Sequence, residues 1–305
     1  MTFATKLKEK KKDLKSSSVA TYLRNIRRLR KVKHSLPIPE SDSKWLNSKP
    51  LLSWFDTQPL HVRRHLANAA IISGQIYGKE NSSWQKRSKE AMIEFDAVRQ
   101  KRELSSKQKA LIPEKGFAAI KKVVGQMKKE FRHLLQGDNI KTLKQLLRVQ
   151  DLVILSLYIN YPLRLDYATM KVGESDRNSI WKQRKKPAGW HVKLTEFKTV
   201  KSLGPKVFKL NVANNRLLNK FVPAVQRITT HGFLLTNSSG GKMSKQVLSK
   251  RLMKITKQRI NKAFSVQLIR ILFAMSNRGV LETSKEVSEK LMHSAKTSLE
   301  YAKKD

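Results

Sequence analysis

An excess of cationic side chains sets the terms on which this chain can fold. Lys and Arg together number 64 against 23 acids, a formal net charge of +41 over 305 residues. Self-repulsion of that size opposes a compact state. The chain therefore has to confine its cations to exposed faces and still gather an apolar core from the 39% of residues that are hydrophobic. Helices with one apolar stripe do this, and the spacing supports them. Val19, Tyr22, Leu23, Ile26 and Leu29 recur at helical intervals, while Arg24, Arg27, Arg28 and Arg30 fall on other faces. Ser16 to Ser18 supplies the cap, and Pro37 and Pro39 end the segment.

The same charge points to a polyanionic partner, because every neutralised phosphate releases counterions and strengthens binding. An anionic membrane is the competing surface. The one basic amphipathic stretch, near 19–30, is short and lacks Trp or Phe on its apolar face, so no membrane partner is expected. The longest apolar stretch, Leu152 to Tyr161, is too short to span a bilayer. Cysteine is absent, which excludes disulfides and thiolate metal sites and fits a reducing, intracellular setting. Met1 to Lys15 is charged and has no apolar stretch of the secretory type.

Along the chain, residues 1–16 read as a basic flexible arm. Residues 17–103 read as a helical domain, with further helices near 60–77 and 84–102. Residues 104–115, with Ser105, Ser106 and Pro113, read as a linker. Residues 116–305 form a second domain, with helices near 116–135, 142–160, 214–228, 244–257, 266–277, 284–292 and 297–303. Between 178 and 211 the pattern changes to alternation: Trp190, Val192 and Leu194, then Val207 and less cleanly Phe208 and Leu210, around Gly204-Pro205. That predicts a β-hairpin with a loose basic turn. Phe233 to Thr236 reads as a short strand or edge, followed by a Gly240-Gly241 turn. The expected class is mainly α (α+β): an all-helical N-terminal domain, then a mixed helical domain with a small antiparallel β-sheet.

Two arginines stand out because each lies inside an apolar run. Arg164 sits in Tyr161-Pro162-Leu163-Arg164-Leu165-Asp166-Tyr167, and Arg270 between Leu268-Ile269 and Ile271-Leu272-Phe273. A guanidinium held there needs a carboxylate or a bound phosphate, and Asp166 is a candidate partner for one of them. Downstream stand His293 and, near the end, Tyr301. Taken singly, His293 reads as a buried or capping histidine and Tyr301 as a packing or surface tyrosine. His191 and His231 read as structural. No His/Asp/Glu cluster has metal-ligand spacing, and no glycine-rich phosphate loop precedes a helix.

Taken together, two arginines, a histidine and a tyrosine suit metal-free phosphoryl transfer. Guanidinium forks hold the charge of a pentavalent phosphate. A tyrosine conserves the bond energy as a phosphotyrosine. A lysine or histidine protonates the leaving oxygen.

The chain resembles the tyrosine recombinases, the phage-integrase type of DNA breaking and rejoining enzyme. Leu163-Arg164-Leu165-Asp166-Tyr167 is similar to the family's first arginine box. Lys198, in Phe197-Lys198-Thr199, is similar to its β-hairpin lysine, with Lys201 as the alternative. Phe233 to Asn237, with Ser244 and Leu248, resembles the strand, turn and helix before the second box. Leu268-Ile269-Arg270 with Phe273-Ala274 resembles that box, and Leu291 to Tyr301 the closing histidine–tyrosine box. The form of the first box and the short gap from His293 to Tyr301 look most like recombinases of eukaryotic viruses and mobile elements.

The resemblance implies a DNA-clamping N-terminal domain and a catalytic domain after it. It implies Arg164 and Arg270 on the scissile phosphate, Gln267 and His293 adding hydrogen bonds, Lys198 as general acid and Tyr301 as nucleophile. It implies double-stranded DNA as partner, a homotetramer on DNA from monomers off it, no metal or nucleotide cofactor, and an intracellular location, host nucleus or cytoplasm if viral. Three features depart from the pattern, one being Met292 where a glycine is usual before the closing histidine. Gln267 stands where histidine or lysine is usual, and it cannot exchange a proton at neutral pH. Four residues follow Tyr301, where many members have a further helix that docks on a neighbouring subunit. A type IB topoisomerase and a non-catalytic DNA-binding protein derived from a recombinase remain the alternatives.

Overall fold

The computed structural model describes residues 2–14, 16–31, 44–78, 81–101 and 103–278. The chain divides into two units, Met1–Lys101 and Arg102–Asp305, each with its own apolar core.

The N-terminal unit is helical: α1 (Phe3–Lys10), α2 (Ser16–Leu29), α3 (Lys49–Asp56), α4 (Leu60–Ile76) and α5 (Ser82–Gln100). Its core forms where the apolar stripes meet, with Leu7, Ile26, Leu66 and Trp84 all fully buried. Trp84 packs edge-on against Phe55 at 4.9 Å and donates its indole N–H to the Leu46 carbonyl at 2.9 Å, so its one polar atom is satisfied. The opening segment corrects the flexible-arm expectation. Phe3–Lys10 is a helix, capped by the Thr2 side chain and anchored by buried Phe3 and Leu7. Burying each of those side chains contributes about 1.5–3 kcal/mol, enough to order lysines that face solvent. The Lys10 ammonium adds a bond to the Gln75 carbonyl at 2.6 Å.

The C-terminal unit opens with α6 (Ser106–Leu111), a helix inside the stretch read as a linker. A full capping box forms it: Ser105 accepts from the Gln108 backbone, and the Gln108 side chain accepts from Ser105. The Lys262 ammonium ties it down through the carbonyls of Ala110 and Ile112. Then come α7 (Gly116–Glu130), α8 (Arg132–Leu135) and α9 (Leu143–Asn160). The strands are β1 (Lys171–Val172), β2 (Ser179–Gln183), β3 (Gly189–Leu194) and β4 (Lys206–Lys209), with α10 (Val200–Leu203) between the last two. Finally come α11 (Val212–Ile228), α12 (Lys245–Ile260) and α13 (Val266–Ser276).

The sheet runs in the order β1-β2-β3-β4. The hairpin expected between 178 and 211 is the β3–β4 pair, with Val192 opposite Phe208, and β2 adds antiparallel with Ile180 opposite Val192. The small sheet expected to be antiparallel is in fact mixed, because β1 pairs parallel to β2 through two residues, too short to alternate visibly in sequence. Phe233 to Thr236 contributes two isolated bridges, Lys171 to Phe233 and Thr236 to Lys242, and no strand among the described residues.

Candidate active site around two arginines

Arg270 lies on α13, a helix buried on nearly every side. Ser265 caps it by accepting from the Leu268 backbone N–H at 3.2 Å. The Arg270 side chain is only 2% exposed, the second-largest of the fully buried side chains among the described residues. Its guanidinium donates through Nη1 to the carbonyl of Pro162, two residues before Arg164.

The loop carrying Arg164 is fixed from three sides. The Tyr158 hydroxyl, on α9, donates to the Arg164 carbonyl at 2.5 Å. The Tyr167 hydroxyl donates to the Tyr161 carbonyl at 2.7 Å, and the two tyrosine rings meet edge-on at 5.3 Å. Arg270 holds Pro162 from the third side. Burial raises both phenols above their ordinary pKa, so they remain neutral donors at physiological pH. Arg164 itself is half-buried and reaches the surface of this loop.

Asp166 lies in the electrostatic field of both arginines. It is 6% exposed, and burial pushes its carboxyl up; Lys245, Arg164 and Arg270 pull the other way, and the Arg164 backbone N–H bonds it. Asp166, the candidate partner for one of them, feels the charge of both arginines. Lys245 was not read from the sequence. It opens α12, which packs on the 3-10 turn Asp166–Thr169, and one lysine among 64 basic residues gives no signal. The result is a cluster with more positive than negative charge on a rigid support. Such a cluster can hold an anion with forked donors, a phosphate above all.

Lys198 occupies the β3–β4 connection and is exposed. Phe197, the residue before it, is buried. Buried Asn178 pins the backbone just ahead: its Oδ1 accepts from Thr195 and Glu196, both at 2.8 Å, and its Nδ2 donates to the Glu196 carbonyl at 3.0 Å. Lys201 is exposed on α10. Gln267 is exposed on the first turn of α13, one turn before Arg270. His293 and Tyr301 lie outside the described residues, as do the helices expected near 284–292 and 297–303 and the prolines at 37 and 39. His191 and His231 keep structural places: His191 stacks on Trp181, and the His231 Nδ1 accepts from the Phe233 N–H at 3.1 Å. Among the described residues no group of three His, Cys, Asp or Glu could hold a metal ion.

No protein-family model and no curated protein matches this sequence. Solved structures do. The XerH site-specific recombinase bound to difH substrate, in a pre-cleavage complex, superposes with a TM-score of 0.57 at 12% identity, covering 99% of this chain and 82% of that one. This chain has the fold of a tyrosine recombinase. The post-cleavage complex of XerH on palindromic difH gives a TM-score of 0.54 at 14% identity, over 93% of this chain and 76% of that one. The Tn1549 transposon integrase with circular intermediate DNA gives 0.50 at 12% identity, over 100% and 96%. Both units take part in the likeness, since it spans nearly the whole chain. Among the described residues no helix is long and apolar enough to cross a membrane.

Proposed function

We infer that this chain is a site-specific DNA recombinase or integrase that breaks and rejoins strands through a 3′-phosphotyrosyl intermediate. The observation that carries this reading is the buried Arg270, which holds the Arg164 loop inside a recombinase fold. A guanidinium is costly to bury, and here one is placed beside a second arginine and a partly compensating carboxylate.

In the reaction, Arg164 and Arg270 fork onto the non-bridging oxygens of the scissile phosphate, and the Gln267 amide and His293 add hydrogen bonds. The Tyr301 phenol oxygen bonds to phosphorus as the bond to the 5′-oxygen breaks. The phenolic proton passes to His293, and Lys198 protonates the departing 5′-oxygen. A 5′-hydroxyl of a partner strand reverses the sequence, so the phosphotyrosine carries the energy for rejoining and no nucleotide is consumed. Gln267 cannot exchange a proton, which leaves that work to Lys198 and His293. The partner is double-stranded DNA, bound by monomers that assemble as a tetramer across two duplexes. The setting is intracellular, and the chemistry suits a virus or mobile element that integrates or excises its DNA.

The test offers the protein supercoiled plasmid alone and plasmid pairs carrying its selected target. Recombinant joints with little free relaxation are expected. Relaxation to completion without joints would identify a type IB topoisomerase instead. Intact DNA binding with neither product would identify a non-catalytic DNA-binding protein.

A further inference from the structure

Lys245 occupies a place on α12 that a solvated lysine avoids. The helix carries its core on one stripe, Leu248, Leu252, Ile255 and Thr256, all of them buried. Lys245 stands three residues before Leu248 and seven before Leu252, so it heads that same stripe. The other lysines of the helix, Lys250, Lys254 and Lys257, are exposed and fall on the opposite side. Ser244 caps α12 by accepting from the Val247 backbone N–H at 3.2 Å, which makes Lys245 the first helical residue. The positive end of the helix dipole lies there, where an acid is favoured and a cation repelled. A residue that breaks local preference with no local gain marks a functional or strained position.

What lies in front of Lys245 is the arginine cluster. Helical side chains lean toward the helix start, and α12 packs on the 3-10 turn Asp166–Thr169 that follows Arg164. Burial raises the Asp166 carboxyl, and of the cations that pull it back Lys245 acts most strongly, ahead of Arg164 and Arg270. The helix itself is fixed. Arg251 forks onto Asp151 of α9 through two bonds of 2.6 Å, and α9 is the helix whose Tyr158 holds the Arg164 carbonyl. Lys245 and the Arg164 loop are therefore carried by one locked pair of helices.

Three cations and the positive end of a helix thus face one carboxylate, and a bound anion offsets the surplus. In the proposed reaction that anion is the scissile phosphate. The same reaction lacks a cation at Gln267, which offers an amide and no charge. We propose that Lys245 is a further catalytic residue, its ammonium donating to a non-bridging oxygen of the scissile phosphate and supplying the charge that Gln267 lacks. The ammonium keeps its protons throughout. Tyr301 still gives its proton to His293, and Lys198 still protonates the departing 5′-oxygen. The inference rests on the recombinase reading and goes further, adding a third cation from α12 to the two arginines.

The experiment uses the full chain on a nicked duplex of the sequence that wild type selects from a random pool. Adduct formation is followed in a single turnover at saturating DNA. Lys245→Ala is expected to slow it about 10²-fold with an unchanged thermal midpoint. Lys245→Gln, which keeps the length without the charge, is expected to match it, and Lys245→Arg to recover most of the rate. Lys250→Ala, on the opposite side of α12, is expected to keep the wild-type rate. A second duplex carries a methylphosphonate at the scissile position, which removes the charge of one non-bridging oxygen. On it the gap between wild type and Lys245→Ala is expected to narrow to about ten-fold, the worth of an uncharged hydrogen bond. A merely structural lysine would leave the gap as it was. A wild-type rate in Lys245→Ala overturns the proposal, as does a gap of the same size on both duplexes. Either result leaves the recombinase reading standing, because wild type still links to DNA. A wild-type chain that binds DNA without ever linking to it sinks that reading and the proposal together.

Discussion

The two units place their cations in opposite ways. In the C-terminal unit one arginine is taken into the core: Arg270 is 2% exposed and its guanidinium is fixed on the Pro162 carbonyl. In the N-terminal unit several arginines lie on aromatic faces nearer the surface, Arg30 over Trp45 at 4.7 Å and Arg64 over Phe95 at 3.9 Å. A buried guanidinium loses hydration that only fixed partners restore, so it is rigid and intolerant of change. A stacked surface guanidinium keeps its hydration, contributes about 0.5–1 kcal/mol, and remains available to a phosphate. In the proposed reaction, the difference would separate a cation that holds one phosphate in place from cations that hold a long polyanion. It also yields a series of variants with graded effects.

Replacing Arg270 should do the most. Arg270→Met keeps the stem and removes the fork, so covalent DNA adduct should fall by about 10³-fold, the range seen when a preorganised donor to a reacting oxyanion is lost. Stability should fall by roughly 3–5 kcal/mol, because Asp166 and the Pro162 carbonyl are left with less compensation. Arg164→Ala should separate the two effects. Adduct formation should drop by about 10²–10³-fold while thermal stability shifts by less than ~1 kcal/mol, since this side chain is half-buried and its loop is held mainly through backbone carbonyls. A large loss of stability in Arg164→Ala would mean that the two arginines form one structural unit. Arg30→Ala, in the other unit, should leave adduct chemistry on saturating DNA intact, lower affinity several-fold, and reduce the salt slope by about one.

That Arg270 would be buried was legible: five apolar neighbours within three positions on either side leave a helical arginine no solvent face. The main helices were legible for the same reason, as apolar stripes survive in a basic chain. The first helix was not, because six lysines within the first 15 residues concealed the two anchors, Phe3 and Leu7. The parallel strand β1 was not, because two residues have no period. In the candidate site, Arg164 and Arg270 stood out through their apolar surroundings, and Asp166 as a candidate partner for one of them. Asn178, which sets the backbone ahead of Lys198, and Lys245, which faces Asp166, were not found, since each acts through a contact distant in sequence.

The smallest effects are in pH, and two carboxyls of the C-terminal unit should move in opposite directions. Burial raises Asp166, so its folded pKa lies above its unfolded one. Its contribution is therefore most favourable below the unfolded value and declines as pH rises through the folded one. Glu130 is lowered, first by its hydrogen bond to Arg259 at 2.7 Å and also by Arg148. Its contribution is present above the unfolded value and is lost as pH falls through the folded one. Glu130 is 36% exposed, so solvent screening holds that contribution below about 1 kcal/mol. Thermal midpoints across acid pH should show Glu130→Gln flattening the acid limb and Asp166→Asn flattening the decline toward neutrality.

The covalent step is tested most directly with a pool of nicked duplexes carrying random sequence around the nick, on which a cut strand diffuses away and traps the enzyme. The protein-linked DNA is isolated in detergent, the DNA is sequenced, and the linked peptide is identified by mass spectrometry. The account predicts one adduct, a phosphotyrosine at Tyr301, formed by wild type, absent from Tyr301→Phe and reduced about 10³-fold in Arg270→Met. A wild-type chain that binds the pool without ever linking to it, or an adduct that persists in Tyr301→Phe, would contradict it.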